Sequence, residues 1–201
     1  SHDLRNPLNI ALGRTTLAQE ELARDDIESV HLDKVEQALD RMESIIMDTL
    51  ILARRGETVA ETVSIPIADL VERCWDMVDA EGTTLDLEDT FTLRGDRERL
   101  RHIFENLFRN AVQHGDPNAT IWVGRADDET LYVEDDGPGI PVEKQDAVFE
   151  TGHTSSSEGT GFGLTIVKRI AEAHGWEVRL TNGRQGGARF EFSGVDISEA
   201  E

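Results

Sequence analysis

The chain has 201 residues, of which 41 are acidic and 20 basic, giving a formal net charge of −21. Nucleic-acid phosphates bind to clustered Lys and Arg, so this composition argues against a nucleic-acid-binding protein. No apolar run approaches the roughly 20 residues that cross a bilayer, so we expect no membrane contact from this part of the chain. The single cysteine, Cys74, cannot form an internal disulfide, which is typical of a reducing cytoplasm and predicts a cytoplasmic fragment.

The acidic excess also bears on the solvent that the protein requires. Like charges on this scale repel one another at low ionic strength, whereas molar salt shortens the Debye length to about 3 Å and removes most of that penalty. The composition is similar to that of proteins from a salt-rich cytoplasm, and we expect a halophilic protein. An ordinary acidic protein is the alternative, because net charge governs solubility rather than fold.

Two domains are predicted, because apolar periodicity lapses and a glycine interrupts the chain between residues 54 and 62. We place a helical hairpin at 1–55, a linker at 56–61 and a second domain with mixed helix and strand patterns at 62–196. The fold class is therefore α+β.

The first domain carries two apolar stripes at helical spacing. Intervals of three and four residues place each stripe on one helix face, and the polar stretch 24–29 predicts the turn between the helices. Two helices bury such stripes poorly alone, so we expect a homodimer in which two hairpins form a four-helix bundle. The stripes comprise Leu4, Leu8, Leu12, Thr15, Ala18 and Leu22, then Leu32, Val35, Leu39, Met42, Ile46, Thr49 and Ala53.

His2 and Asn6 lie four residues apart on the first helix, on a face away from the apolar stripe. A neutral imidazole, with an ordinary pKa of about 6.5, is a competent nucleophile, and the adjacent carboxylate of Asp3 can orient the ring or take its proton. Pro7 removes a helical hydrogen bond and should bend the helix just beyond the histidine. His2 is thus a candidate nucleophile, with a plain polar residue near a chain end as the alternative.

From residue 62 onward, strand and helix patterns alternate. Alternating apolar residues predict strands over 62–65, 83–87, 91–93, 121–125, 131–135, 177–180 and 188–192. Helices are predicted over 66–79, 96–113 and 163–174, with Asp96 capping the second and Gly175 ending the third. We expect one mixed sheet with helices packed on one face, an α/β sandwich.

Asn106 and Asn110 lie four residues apart on the second of these helices, opposite its apolar face. Amide oxygens are hard ligands that suit magnesium, which keeps most of its waters and bridges substrate phosphates. Two surface amides with no such role are the alternative.

The segment DDGPGI ends a predicted strand and enters a turn. The carboxylate of Asp135 can accept a hydrogen bond from an exocyclic amine, while Gly137 and Gly139 let the backbone approach a flat base closely. An ordinary Asp-Gly-Pro-Gly turn is the alternative.

A glycine-rich segment, GTGFGL, precedes the third predicted helix. Backbone amides at the start of a helix can hold phosphate oxygens against the positive end of its dipole. Residues 150–162 lack strong periodicity, which is typical of a mobile lid, and Phe149 would anchor that lid. The spacing fits neither a Walker loop nor a Rossmann fingerprint.

The segments SHDLRNPLN, ENLFRNAVQH, DDGPGI and GTGFGL, in this order, resemble the catalytic core of a sensor histidine kinase over almost the whole chain. The resemblance implies a dimerisation and phosphoacceptor hairpin followed by an ATP-binding domain of the Bergerat, or GHKL, type. It implies a kinase of a two-component system that uses ATP and Mg²⁺ to phosphorylate His2 and then passes the phosphoryl group to an aspartate of a response-regulator receiver domain. Asp3 would assist proton transfer, and Asn6 would help to dephosphorylate the response regulator.

The resemblance also implies roles in the second domain. Asn110 would coordinate magnesium directly, Asn106 would hold its water shell or a phosphate, and Asp135 would contact the adenine amine. His114 falls where the family often has a basic or aromatic residue near the phosphates. The residues implied in nucleotide binding are Asn106, Arg109, Asn110, His114, Asp135, Gly137, Gly139, Phe149, Gly159, Thr160, Gly161, Phe162, Gly163 and Leu164.

The lid segment departs from the family pattern, because His153 is the only basic residue between Lys144 and Lys168. Phosphate affinity would then depend on magnesium, backbone amides and Arg109. Two alternatives stay open: a GHKL-type ATPase, which would have a glutamate at the position of Asn106, and a nucleotide-binding signalling scaffold without kinase activity. Because the chain begins inside a motif, sensory or membrane segments upstream are compatible with it.

Overall fold

The structure, a computed structural model, describes residues 58–59, 61–78, 80, 82–116, 118–150 and 162–199, together with Val35 and Met42. The chain divides into two compact units, Ser1–Arg54 and Arg55–Glu201. Val35 and Met42 are helical, and the rest of the predicted hairpin lies outside the described residues. No helix in the described part of the chain is long and apolar enough to cross a membrane.

The described residues of the second unit form eight strands and three helices. The helices are α1 (Ile67–Trp75), α2 (Arg97–His114) and α3 (Gly163–Ala173). Two short 3₁₀ helices, Val142–Lys144 and Ala147–Phe149, lie before α3. The strands are β1 (Val63–Pro66), β2 (Thr84–Leu87), β3 (Phe91–Gly95), β4 (Thr120–Asp127), β5 (Thr130–Asp135), β6 (Glu177–Asn182), β7 (Ala188–Ser193) and β8 (Ile197–Glu199).

The strands form two sheets rather than the single predicted sheet. The larger has the order β2-β4-β5-β7-β6, with β2 parallel to β4 and the other pairs antiparallel. The smaller is antiparallel, with the order β1-β3-β8. The prediction of one sheet was wrong because β1 and β3 pair with each other and with β8, a three-residue strand that the sequence pattern did not indicate. The mixed character of the larger sheet and the α/β sandwich are confirmed.

One face of the larger sheet packs into the core. Val133 of β5 pairs with Val123 on one side and with Phe190 on the other, so the three side chains share a face. All three are buried, together with the apolar faces of α2 and α3. Asp135 lies two residues beyond Val133 on the same strand and therefore belongs to this helix-covered face.

The ends of α2 and α3 follow from local chemistry. Asp96 caps α2 as predicted, because its Oδ1 accepts hydrogen bonds from the backbone N–H groups of Glu98 and Arg99 at 3.1 and 3.2 Å. Gly175, with φ of 78°, ends the helical segment as predicted, since the left-handed region favours glycine. His174 lies beside Asp96, so the end of α3 meets the start of α2 and the two helices run antiparallel.

Candidate nucleotide-binding site

The start of α3 lies against the middle of α2. Asn106 donates from Nδ2 to the carbonyl oxygen of His102 at 2.7 Å, which fixes the orientation of the amide. Its oxygen, Oδ1, then faces Gly163, where a Cβ atom would lie only 2.8 Å away. The structure thus brings a candidate ligand oxygen to the positive end of the α3 dipole.

Asp135 is half-buried at the end of β5. Its Oδ1 accepts hydrogen bonds from the backbone N–H groups of Gly137 at 2.9 Å and Ala188 at 3.2 Å, which orient the carboxyl group. Burial raises the pKa of Asp135 above its ordinary value, while the two N–H donors oppose that rise. The neighbouring Asp136 instead accepts from the backbone N–H of Thr120 at 2.8 Å and so ties the turn to β4.

Gly137 and Gly139 lie at two close approaches of the backbone. A Cβ at Gly137 would stand 2.9 Å from Asp135 Oδ1 and 3.3 Å from the Cα of Gly115, the residue that follows α2. Gly139 has φ of 69°, and a Cβ there would overlap the carbonyl oxygen of Gly186. Larger residues at either position would displace the turn that carries Asp135.

Phe149 lies at the base of the predicted lid. Its buried ring makes an edge contact with Phe190 of β7, with 6.3 Å between ring centroids. The Nζ of Lys168 on α3 lies 6.0 Å from the Phe149 centroid, which is within cation–π range. Phe149 therefore joins the chain before the lid to both the sheet and α3.

The remaining predicted residues are distributed as follows. Arg109 and His114 are exposed on α2, and Asn110 is half-buried between them. Phe162, Gly163 and Leu164 are half-buried at the start of α3, where the Phe162 carbonyl oxygen accepts the first helical hydrogen bond, from Ile166. The predicted residues outside the described part of the chain are His2, Asp3, Asn6, Gly159, Thr160 and Gly161.

Sequence reasoning missed one part of this site, the loop 183–187 between β6 and β7. A Cβ at Gly187 would overlap the carbonyl oxygen of Asp135, so the loop backbone lies directly against the candidate adenine-binding residue. A Cβ at Gly183 would stand 3.0 Å from Glu134 Cγ. The available signal was three glycines within five residues, which indicates close backbone approach.

The donor chemistry at the start of α3 fits magnesium. Among the described residues, no cluster of three or more His, Cys, Asp or Glu side chains forms a metal site. Magnesium needs few protein ligands when phosphates supply the rest, and neutral amide oxygens serve that purpose. The orientation of Asn106, with its oxygen toward the helix start and its nitrogen bonded away from it, meets this requirement.

Comparison with known proteins places both parts of the chain. The model of the histidine kinase-, DNA gyrase B- and HSP90-like ATPase family matches residues 95–197, and that of the His Kinase A (phospho-acceptor) domain matches residues 1–58. The chain belongs to the histidine kinase-, DNA gyrase B- and HSP90-like ATPases, and its two matched domains are those of a sensor histidine kinase catalytic core.

Individual relatives agree with this assignment. The signal transduction histidine-protein kinase AfsQ2 of Streptomyces coelicolor is 31% identical over 213 residues, covering 94% of this chain and 39% of AfsQ2. The methanogenesis regulatory histidine kinase FilI of Methanothrix harundinacea is 30% identical over 192 residues, covering 89% of this chain and 22% of FilI. The chain thus spans less than half the length of these curated relatives.

A solved structure supports the fold. The histidine kinase AdeS of Acinetobacter baumannii is similar over 100% of this chain and 99% of its own, with a TM-score of 0.63 and 22% identity.

Proposed function

We propose that this chain is an ATP-dependent protein histidine kinase of a two-component system, which phosphorylates itself on His2. The proposal is carried by the contact of Asn106 Oδ1 with the start of α3, together with the oriented carboxylate of Asp135 on the helix-covered face of the sheet. ATP requires three groups from its site. These are an amide oxygen that faces the magnesium ion, a helix start that binds phosphate, and a carboxylate that accepts a hydrogen bond from the adenine amine.

In the proposed complex, adenine binds against the turn 137–139 and its amine donates to Asp135. The backbone N–H groups at the start of α3 hold the phosphates, and Asn110 and Asn106 hold magnesium and its water shell. Bound magnesium would neutralise charge on the phosphates during transfer. Arg109 and His114, on the exposed side of α2, add positive charge or hydrogen bonds beside the phosphates.

The proposed acceptor is the imidazole of His2. The γ-phosphoryl group moves to the ring nitrogen, ADP leaves, and the ring proton passes to Asp3. The phosphohistidine then donates its phosphoryl group to an aspartate on a response-regulator receiver domain. Asn6 helps to dephosphorylate the regulator, a hydrolysis that releases inorganic phosphate. Catalysis in this scheme comes mainly from positioning and charge neutralisation.

The proposal extends to assembly and environment. We place the hairpin at 1–55, a linker at 56–61 and the ATP-binding domain at 62–196, and we propose that two hairpins associate as a homodimer. The match of residues 1–58 to the His Kinase A (phospho-acceptor) domain supports this arrangement. We also propose that the protein works in a salt-rich cytoplasm, because its net charge of −21 calls for strong screening.

The experiment is incubation with γ-labelled ATP and magnesium in high salt, beside His2→Gln and Asn110→Ala variants. Phosphohistidine is labile to acid and stable to alkali, so the label should show that pattern and vanish in both variants. Acid-stable label, or label retained in His2→Gln, would overturn the assignment of the acceptor. Label retained in Asn110→Ala would overturn the assignment of the metal ligand.

A further inference from the structure

Glu134 is a carboxylate buried on the face of the sheet opposite the nucleotide site. Successive strand residues point to opposite faces, so Glu134 and Asp135, adjacent on β5, face away from each other. The Glu134 side chain has 0% exposure, which an unpaired carboxylate would not tolerate. Its Oε1 accepts from the backbone N–H and the Nε of Arg184 at 2.6 and 3.1 Å, and its Oε2 accepts from Nη1 of Arg189 at 2.7 Å.

Arg184 is held from a second side as well. Its Nη1 and Nη2 donate to the two carboxylate oxygens of Glu88 at 2.7 and 2.9 Å, a bidentate pair. Its guanidinium carbon lies 5.0 Å from the ring centroid of Trp122, within cation–π range. Since Arg184 belongs to the loop 183–187, these contacts fix that loop against the sheet.

The same loop also helps to orient Asp135, through the residue that follows it. The loop is closed by a hydrogen bond of 2.8 Å from the backbone N–H of Gly183 to the carbonyl oxygen of Gly187. The next residue, Ala188, donates its N–H to Asp135 Oδ1 at 3.2 Å. A displacement of the loop therefore moves a donor that sets the direction of the Asp135 carboxyl group.

We propose that Arg184 is a positioning residue for adenine recognition, clamped by Glu134 and Glu88 so that the loop 183–187 holds Asp135 in the orientation that accepts the adenine amine. This inference rests on the proposed role of Asp135 and adds to it a determinant of base specificity on the far side of the sheet. Arg184 does not touch the nucleotide in this scheme, because it lies on the opposite face from Asp135.

Comparing the affinities for two nucleotides with different bases separates a role in adenine recognition from a general structural role, because a general structural role would affect both affinities equally. ATP and inosine triphosphate differ at C6 of the base, where ATP has an amine that donates and inosine triphosphate has a carbonyl oxygen that accepts, and consequently at N1, which accepts in ATP and donates in inosine triphosphate. A carboxylate of Asp135 that is oriented toward the C6 substituent accepts a hydrogen bond from the amine and gains none from the carbonyl oxygen. Loss of that orientation should therefore lower the affinity for ATP and leave the already low affinity for inosine triphosphate unchanged.

The experiment measures the affinities of the full chain for magnesium ATP and magnesium inosine triphosphate by calorimetry in high salt. The test variant is Arg184→Ala. The matched control is Arg179→Ala, which removes an arginine of the same hairpin that pairs with the exposed Glu177. Asp135→Asn serves as the reference for loss of adenine recognition, and thermal unfolding of each variant checks that it is folded.

The expected result is a loss of roughly tenfold in ATP affinity for Arg184→Ala, with inosine triphosphate affinity and the Arg179→Ala variant unchanged; a tenfold change corresponds to about 1.4 kcal/mol. Equal losses for both nucleotides, or no loss for either, would overturn the inference. If Asp135→Asn lowers the preference for ATP and Arg184→Ala does not, only the inference fails. If Asp135→Asn leaves the preference unchanged, the proposed adenine-binding role of Asp135 fails, and the inference fails with it.

Discussion

His174 accepts a hydrogen bond at its Nε2 from the backbone N–H of Asp96, at 3.0 Å, and thereby joins the end of α3 to the start of α2. Its other nitrogen, Nδ1, lies 2.8 Å from the carbonyl oxygen of Ile170, to which it can only donate. The pair of contacts requires the neutral imidazole, because protonation would turn Nε2 into a second donor facing an N–H group.

The first prediction is a loss of stability on acidification that depends on His174. Burial lowers the pKa of His174 below its ordinary 6.5, so below that pH the native state binds fewer protons than the unfolded state. The contribution of His174 to the unfolding free energy is therefore fully present above pH 6.5. It is lost as the pH falls through the pKa that His174 has in the folded state. His174→Gln should flatten the dependence of the unfolding free energy on pH by up to about 1.4 kcal/mol per pH unit.

Denaturant unfolding at several pH values measures this slope. A residual slope of the same sign should remain in His174→Gln, because burial also lowers the pKa of His102. An unchanged slope in the variant would contradict the role of His174.

The second prediction concerns Gly163→Ala. The added Cβ would stand 2.8 Å from Asn106 Oδ1, so the amide must move away from the start of α3. Alanine has a higher helix propensity than glycine, so the helix itself should tolerate the change. We expect magnesium ATP affinity to fall by about tenfold, a cost of about 1.4 kcal/mol, while the thermal unfolding temperature stays the same or rises. Unchanged affinity in calorimetry would contradict this prediction, because it would mean that the Asn106 amide accommodates the added Cβ atom without losing its role in binding.

The third prediction is a change in base preference. In Asp135→Asn, the amide oxygen can still accept the N–H groups of Gly137 and Ala188, while the amide nitrogen becomes a donor toward the base. The ratio of ATP affinity to inosine triphosphate affinity should therefore fall by at least about tenfold. The adjacent Asp136→Asn is the matched control, because Asp136 bonds Thr120 instead, and its ratio should not change.

Much of the second unit could be predicted from local sequence. The apolar periodicity of α2 and the capping chemistry of Asp96 depend on residues within one or two turns, and both predictions are confirmed. The same holds for Gly175, whose positive φ is a local property. Asp135 was singled out from its own turn, DDGPGI, and its role in binding adenine stays a prediction.

What could not be predicted depends on residues far apart in the chain. Glu134 belongs to an alternating strand and would be expected to face solvent, yet it is buried because Arg184, 50 residues later, folds over it. The strand β8 has only three residues and gains its structure by pairing with β3. Neither contact has a periodic or motif signal in the sequence, because each depends on tertiary pairing.

The fourth prediction is that salt stabilises the second unit. The whole chain carries a net charge of −21, and self-repulsion, including that within the second unit, should weaken as the Debye length falls from about 10 Å at 0.1 M to about 3 Å at 1 M salt. Cys74 is a convenient reporter, because it is the single cysteine, is fully buried, and has a pKa that burial raises to about 12. Its labelling by a thiol reagent should slow several-fold between these salt concentrations.

A buried thiol reacts only after the surrounding structure opens, so the labelling rate follows the population of the open state. The free cysteine amino acid in the same buffers is the control for the chemistry of the reagent. A labelling rate that rises with salt, after correction by that control, would contradict the proposal of a salt-adapted protein.

The stoichiometry of the reaction with γ-labelled ATP, in the absence of a response regulator, distinguishes a histidine kinase from an ATPase. Transfer to His2 predicts that each ADP formed is matched by one labelled chain, up to one per site, with little free phosphate. ADP and inorganic phosphate formed continuously, without labelled chain, would contradict the kinase assignment and favour a GHKL-type ATPase.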